Sequence, residues 1–116
     1  MNVLLVEDHA DTRSVFSLLL NRLGCQTITA KGMHDARTRL SEMPFDVLIS
    51  DLNLPDGDGL DLVRFAKAAR PLTAIALTGR ASADERAAGL AAGFDFYLTK
   101  PVDFRMLQSA RRHKTS

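Results

Sequence analysis

A chain of 116 residues, 46% of them hydrophobic, suits one domain spanning 1–116 whose core needs no staple from metal or disulfide. Fifteen Lys and Arg against fourteen Asp and Glu leave a net charge of +1, which excludes an overall field suited to nucleic acid or a membrane surface. The apolar runs are far too short for a bilayer span, no signal-peptide flank precedes the first, and the lone Cys25 excludes an internal disulfide; a cytoplasmic protein without membrane insertion is expected.

Val3-Leu4-Leu5-Val6 is too short for a helix and rich in strand formers, and it predicts the first strand. A helical stripe of Phe16, Leu19, Leu20 and Leu23 follows and stops at Gly24. Gln26-Thr27-Ile28-Thr29-Ala30 is a more polar strand suited to a sheet edge, and the next stripe, Met33, Ala36, Leu40 and Met43, ends at Pro44. Val47-Leu48-Ile49 predicts a third strand, and Leu62, Phe65, Ala66 and Ala69 a third helix closed by Pro71. Ala74-Ile75-Ala76-Leu77 predicts the fourth strand, and Ala83, Ala87, Leu90 and Ala91 the fourth helix, closed by Gly93. After a fifth strand at Phe96-Tyr97-Leu98, a fifth helix is expected from about Asp103 through Met106, Leu107 and Ala110. Its basic end, Arg111 to Lys114, reads as a solvated helix terminus, and no nucleic-acid partner is expected.

Three of these strands are apolar at nearly every position, the pattern of strands buried on both faces of a parallel sheet. The alternation is therefore α/β, (βα)5. Right-handed crossovers turn it into a three-layer, doubly wound architecture, whose commonest small form is the flavodoxin-like five-stranded parallel sheet of order 2-1-3-4-5.

Such sheets bind ligands beyond the carboxyl ends of their strands. The residues there are Glu7-Asp8 after the first strand, Asp51 after the third, Thr78 after the fourth and Lys100-Pro101 after the fifth. Singly, each has an ordinary explanation: helix-entry acids, a loop hydroxyl, a solvated strand-end lysine. Together they form a rim of three carboxylates, a hydroxyl and an ammonium. Carboxylates packed this closely need a compensating cation, and Lys100 compensates only in part. Hard oxygen ligands with room for water suit Mg²⁺. The stretch from Asp51 to Gly59 superficially resembles a calcium loop, but Asp56 stands where glycine is required and Leu62 where the bidentate glutamate belongs. With Mg²⁺ present, Asp51 is placed to attack phosphorus while Lys100 neutralises charge and Thr78 donates a hydrogen bond.

Leu4-Leu5-Val6-Glu7-Asp8, Ser50-Asp51-Leu52-Asn53-Leu54-Pro55-Asp56-Gly57-Asp58-Gly59, Leu77-Thr78-Gly79 and Leu98-Thr99-Lys100-Pro101 resemble, in order and spacing, a response-regulator receiver domain of two-component phosphorelay signalling. The resemblance covers essentially the whole chain. It implies that Asp51 is the phosphoacceptor, served by a sensor histidine kinase or a histidine phosphotransfer protein. Asp8 and Asp51 would bind Mg²⁺ directly, Asn53 through its backbone carbonyl and Glu7 through water. Thr78 and Lys100 would hold the phosphoryl oxygens, and Pro101, after a cis peptide, would shape the last loop. Thr78 and Tyr97 would form a switch that changes the face of the fourth helix, fifth strand and fifth helix, which meets an unknown downstream protein.

Asn53 and Arg80 occupy positions that tune phosphoryl lifetime in the family, and Arg80 is expected to restrain attacking water. His9 is expected at the surface. The segments His9 to Arg13 and Asp95 to Asp103 look like receivers fused to hybrid sensor kinases. Such a domain takes part in its own phosphorylation and slow autodephosphorylation and is not a turnover enzyme. Two other readings stand beside this one. A metal-dependent aspartyl-phosphate phosphohydrolase needs a general acid where Asn53 stands, and a phosphorylation-independent, protein-binding pseudo-receiver has no need of the intact acidic pair, Thr78 and Lys100.

Overall fold

The computed structural model describes residues 1–79 and 82–100; the expected fifth helix, Pro101 and Arg80 lie outside the described residues. Five strands, β1 (Asn2–Val6), β2 (Gln26–Ala30), β3 (Val47–Asp51), β4 (Thr73–Thr78) and β5 (Phe96–Thr99), form one parallel sheet of order β2-β1-β3-β4-β5. This is the flavodoxin-like order expected from sequence. Four helices, α1 (Ala10–Arg22), α2 (Met33–Glu42), α3 (Gly59–Ala69) and α4 (Ala83–Ala92), connect them.

The continuous apolar runs are explained by burial on both faces. Val3, Leu5, Val47, Ile49, Ile75 and Leu77 pack with Phe16 and Leu20 of α1 on one side. Leu4, Val6, Leu48, Ala74 and Ala76 pack with Met33 and Ala36 of α2 and Leu62, Val63 and Ala66 of α3 on the other. Successive strand residues point to opposite faces, so a run with no polar interruption fills both layers. Each fully buried Leu or Val contributes about 1.5–3 kcal/mol of apolar transfer, so the central strands are the anchor on which the site is hung. At the helix ends, α1 and α4 stop at Gly24 and Gly93, whose φ values of 83° and 130° suit glycine. Asp58 caps α3 by accepting from Leu60 N at 2.9 Å, and Ser82 with Glu85 forms a capping box on α4.

Two features depart from expectation. The segment after Asp51 is a small antiparallel ladder, Asn53–Leu54 against Gly57–Asp58, closed by Pro55 and Asp56. The α4 stripe is displaced: Ala83, Ala87, Leu90 and Ala91 are exposed, and Gly89 and Ala92 are the buried positions. Among so many alanines hydropathy does not select a face. The Tyr97 ring lying against Gly89 does.

Candidate functional site

The carboxyl ends of β1, β3, β4 and β5 bring Glu7, Asp51, Thr78 and Lys100 to one rim. Glu7 continues β1, its N–H donating to Ala30 O at 3.0 Å, and its side chain is completely buried. Asp51 ends β3 and is mostly buried. Lys100 follows β5 and is held by its own N–H, which donates to Thr78 O at 2.8 Å. From there Lys100 Nζ donates to Asp51 Oδ2 at 2.8 Å and lies 3.1 Å from Glu7 Oε2. Burial alone pulls the Lys100 pKa down, but the hydrogen bond to Asp51 and the negative charges of Asp51 and Glu7 outweigh it and hold the ammonium above its ordinary 10.5.

The rim therefore has an internal cation between two of its carboxylates. Asp51 Oδ1 accepts from Asn53 N at 3.1 Å, which fixes the acceptor carboxylate relative to the small ladder. Thr78, the last residue of β4, is buried beside Thr99 in the β4–β5 register. Two supporting residues escaped the sequence reading. Ser50, fully buried, donates from Oγ to Asp51 O at 2.9 Å. At Gly59, a Cβ would stand 2.6 Å from Asp51 O and 2.9 Å from Leu52 Cα, so only glycine lets α3 begin against the end of β3. A glycine directly after the α3 cap residue Asp58 was the available signal.

Asp8 is partly exposed at the same rim. His9, whose side chain is 71% exposed, does not simply point into solvent: its Nδ1 lies 3.0 Å from Glu7 Oε1 and 3.2 Å from Asp8 Oδ1. The His9 backbone N–H also donates to Glu7 Oε1, at 3.2 Å. The hydrogen bond to Glu7, then the charges of Asp8 and Glu7, raise the imidazole pKa above 6.5. Arg13 holds the backbone of the acidic pair, Nη1 donating to Glu7 O at 2.9 Å and to Asp8 O at 3.3 Å.

Tyr97 faces α4 and not the rim. Its hydroxyl donates to Glu85 O at 3.1 Å, with Arg86 O at 3.3 Å as a second acceptor, and its ring fills the space beside Gly89. The Arg86 guanidinium lies 5.7 Å from the ring centroid. Burial raises the hydroxyl pKa above 10.

The donor set fits a hard divalent ion. Glu7 Oε2 is buried and makes no directed hydrogen bond, leaving Lys100 at ion-pair distance as its compensation. Ligand atoms of Glu7, Asp8 and His9 all lie within 4.8 Å of one another. Asp51 is not in that trio, because its carboxylate is turned to Lys100 and Asn53 N. The three expected carboxylates thus meet as two, with Asp51 linked to Glu7 through Lys100.

Residues 3–112 match the response regulator receiver domain, and the chain belongs to that family, the receiver domains of two-component response regulators. It is 39% identical over 106 residues to the response regulator protein PilR of Pseudomonas aeruginosa, a match covering 90% of this chain and 24% of PilR. With the sensor histidine kinase RcsC of Salmonella typhimurium it shares 35% identity over 109 residues, 93% of this chain and 12% of RcsC. The chain thus spans a minor part of each. Among solved structures, the receiver domain of the sensor histidine kinase PA1611 from Pseudomonas aeruginosa superposes with a TM-score of 0.88 at 30% identity, covering 99% of this chain and 98% of that one. That structure has a magnesium ion coordinated in its active-site cleft. Among the described residues, no helix is long and apolar enough to cross a membrane.

Proposed function

We propose that Asp51 is the phosphoacceptor of this receiver. The observation that carries the reading is the Lys100 Nζ contact with Asp51 Oδ2 at 2.8 Å, at the end of a buried central strand beside the acidic pair. An Asp51 carboxylate oxygen forms a bond to phosphorus as the phosphorus–nitrogen bond of a phosphohistidine breaks, and the leaving imidazole recovers a proton. The donor belongs to a sensor histidine kinase or a histidine phosphotransfer protein. Asp8, Asp51 and the Asn53 carbonyl would hold Mg²⁺, with Glu7 acting through water, and the bound ion would supply charge neutralisation to the phosphoryl oxygens.

Lys100 needs little displacement for its part, since an ammonium already on Asp51 Oδ2 can transfer a hydrogen bond to an oxygen of the attached phosphoryl group. Thr78 donates to another oxygen from the end of β4. Movement of Thr78 is then read by Tyr97, whose hold on the Glu85 and Arg86 carbonyls couples it to α4, and this face meets a downstream protein. Asn53, two residues beyond Asp51, offers no acid to protonate a leaving group, which favours a held phosphoryl group in a cytoplasmic switch over a turnover enzyme. Arg80, two residues beyond Thr78, restrains attacking water in this reading.

The test is incubation with Mg²⁺ and acetyl phosphate, followed by assay for an acid-stable, base-labile phosphate. The wild type should label and Asp51→Asn should not. Labelling that persists in Asp51→Asn, or fails in the wild type with Mg²⁺ bound, sinks the reading.

A further inference from the structure

Arg13 closes the first turn of α1, where the helix macrodipole disfavours a cation. Its half-buried side chain turns back past the start of the helix, and Nη1 donates to Glu7 O at 2.9 Å and to Asp8 O at 3.3 Å. Glu7 lies beyond β1 and Asp8 ahead of α1, so both carbonyls belong to the turn that connects the two elements. The backbone of the arginine is itself anchored, Arg13 N donating to His9 O at 2.9 Å. One end of this clamp is therefore fixed to α1 while the other holds the turn that presents the acidic pair. The guanidinium offers several N–H donors in a rigid plane, and a charged donor bonds a carbonyl more strongly than a neutral one.

We infer that Arg13 is a positioning residue of the metal site: by clamping the backbone of Glu7 and Asp8 it sets where the Asp8 carboxylate meets the divalent ion. The inference rests on the metal-dependent function proposed above, and it gives Arg13 no contact with the ion or with the phosphoryl group. Because the clamp is made to carbonyl oxygens, it fixes the turn without taking up the carboxylate oxygens that an ion needs. Two effects of Arg13 on Mg²⁺ have opposite signs. As a cation near the site it repels the ion, so by charge alone its removal tightens binding. As a clamp it orients a ligand, and groups that do so are worth about 10–100-fold in metal affinity. The repulsion is the smaller effect, since an arginine that is only half-buried acts through solvent and is screened by salt. Weaker Mg²⁺ binding on removal of this cation is therefore the mark of positioning.

The experiment uses the intact chain with Mg²⁺ as the probe, under conditions where a urea titration shows each variant fully folded. Calorimetry measures Mg²⁺ affinity directly. Acetyl phosphate labelling over a series of Mg²⁺ concentrations separates the half-saturating concentration from the rate at saturation. Arg13→Ala, which keeps α1 because alanine is the strongest helix former, should weaken Mg²⁺ binding by about tenfold. The half-saturating Mg²⁺ concentration should rise by the same factor, and the rate at saturating Mg²⁺ should change little. Unchanged or tighter Mg²⁺ binding in Arg13→Ala overturns the inference, whatever happens to the urea midpoint. So does a loss confined to the labelled fraction with the half-saturating concentration unmoved, which is the result expected of a purely structural arginine. If the wild type binds Mg²⁺ and Arg13→Ala binds it more weakly but neither is labelled, the role of Arg13 stands and the phosphoacceptor reading of Asp51 fails. If the wild type is labelled and Arg13→Ala keeps its Mg²⁺ affinity, only the role of Arg13 fails. A wild type that binds no Mg²⁺ overturns both.

Discussion

The Tyr97 ring occupies the space that a side chain at Gly89 would need: a Cβ built there would collide with the Tyr97 hydroxyl and stand 2.7 Å from Cζ. Because the same hydroxyl donates to Glu85 O and Arg86 O, Tyr97 ties β5 to α4 on the face proposed to carry the signal. Gly89→Ala should therefore expel the tyrosine even though alanine favours a helix by about 1 kcal/mol over glycine. Overpacking of this kind costs about 1–3 kcal/mol, so a net loss of stability is expected. The chain has one Tyr and no Trp, so its intrinsic fluorescence reports Tyr97 alone. An emission spectrum in Gly89→Ala identical to the wild type would show that the ring does not depend on this glycine.

Lys100 is the internal counter-charge for Glu7 and Asp51. Lys100→Met strands the buried Glu7 carboxylate. Since the lysine side chain is itself 27% exposed, the expected cost is about 1–3 kcal/mol, below the roughly 3–5 kcal/mol of a fully buried pair. Glu7→Gln in the same chain should restore part of that loss, and a double-mutant cycle in urea measures the coupling. Additive losses would mean that the two groups do not interact. The pH dependence follows from the raised lysine pKa: the contribution is complete below the ordinary 10.5 and disappears as pH climbs through the higher folded value.

These relationships mark where sequence legibility ended. A parallel sheet covered on both faces could be read from Val3 to Val6 and Val47 to Ile49, apolar at every position, and its strand order followed as the commonest small form of that architecture, with Thr27 and Thr29 marking an edge. Topology then carried Glu7, Asp51, Thr78 and Lys100 to one rim, because strand-end residues have little freedom about where they lie. Side-chain direction was a different matter. Nothing in the local sequence of His9 tells its ring to turn back on Glu7, and nothing in Asp51 announces that it meets Glu7 through Lys100. The face of α4 was illegible because alanine and glycine differ too little in hydropathy, and a tyrosine eight residues beyond Gly89 decides it.

His9 should titrate above the 6.5 of an ordinary imidazole, principally through its hydrogen bond to Glu7 and then through the charges of Asp8 and Glu7. A folded pKa above the unfolded one stabilises the fold below pH 6.5, and this contribution is lost as pH rises through the folded value. NMR titration of the His9 ring in metal-free protein measures the shift directly. Glu7→Gln and Asp8→Asn should each bring it back towards 6.5. A His9 pKa that neither substitution moves would show that the ring does not rest on the acidic pair in solution.

Asp56 joins the ladder after the acceptor to α2 across more than twenty residues. Its Oδ1 accepts from Met33 N at 2.6 Å and its Oδ2 from His34 N at 3.0 Å, so it caps α2 from outside the helix's own chain segment. The close fit depends on Gly32, where a Cβ would lie 2.5 Å from Asp56 Oδ1. The backbone hydrogen bonds from His34 and then Met33 hold the carboxyl below its ordinary 3.8. A depressed folded pKa stabilises above pH 3.8, and that stability is lost as pH falls through the folded value. Asp56→Ala should therefore lower the urea midpoint at neutral pH and flatten the acid limb of the stability curve. Asp56→Asn, which keeps one acceptor, should fall between it and the wild type. Because Asn53 N in the same ladder donates to Asp51 Oδ1, slackening the clamp should also slow labelling of Asp51 by acetyl phosphate. If Asp56→Ala shifts the urea midpoint but labels at the wild-type rate, the clamp stabilises α2 without positioning the acceptor.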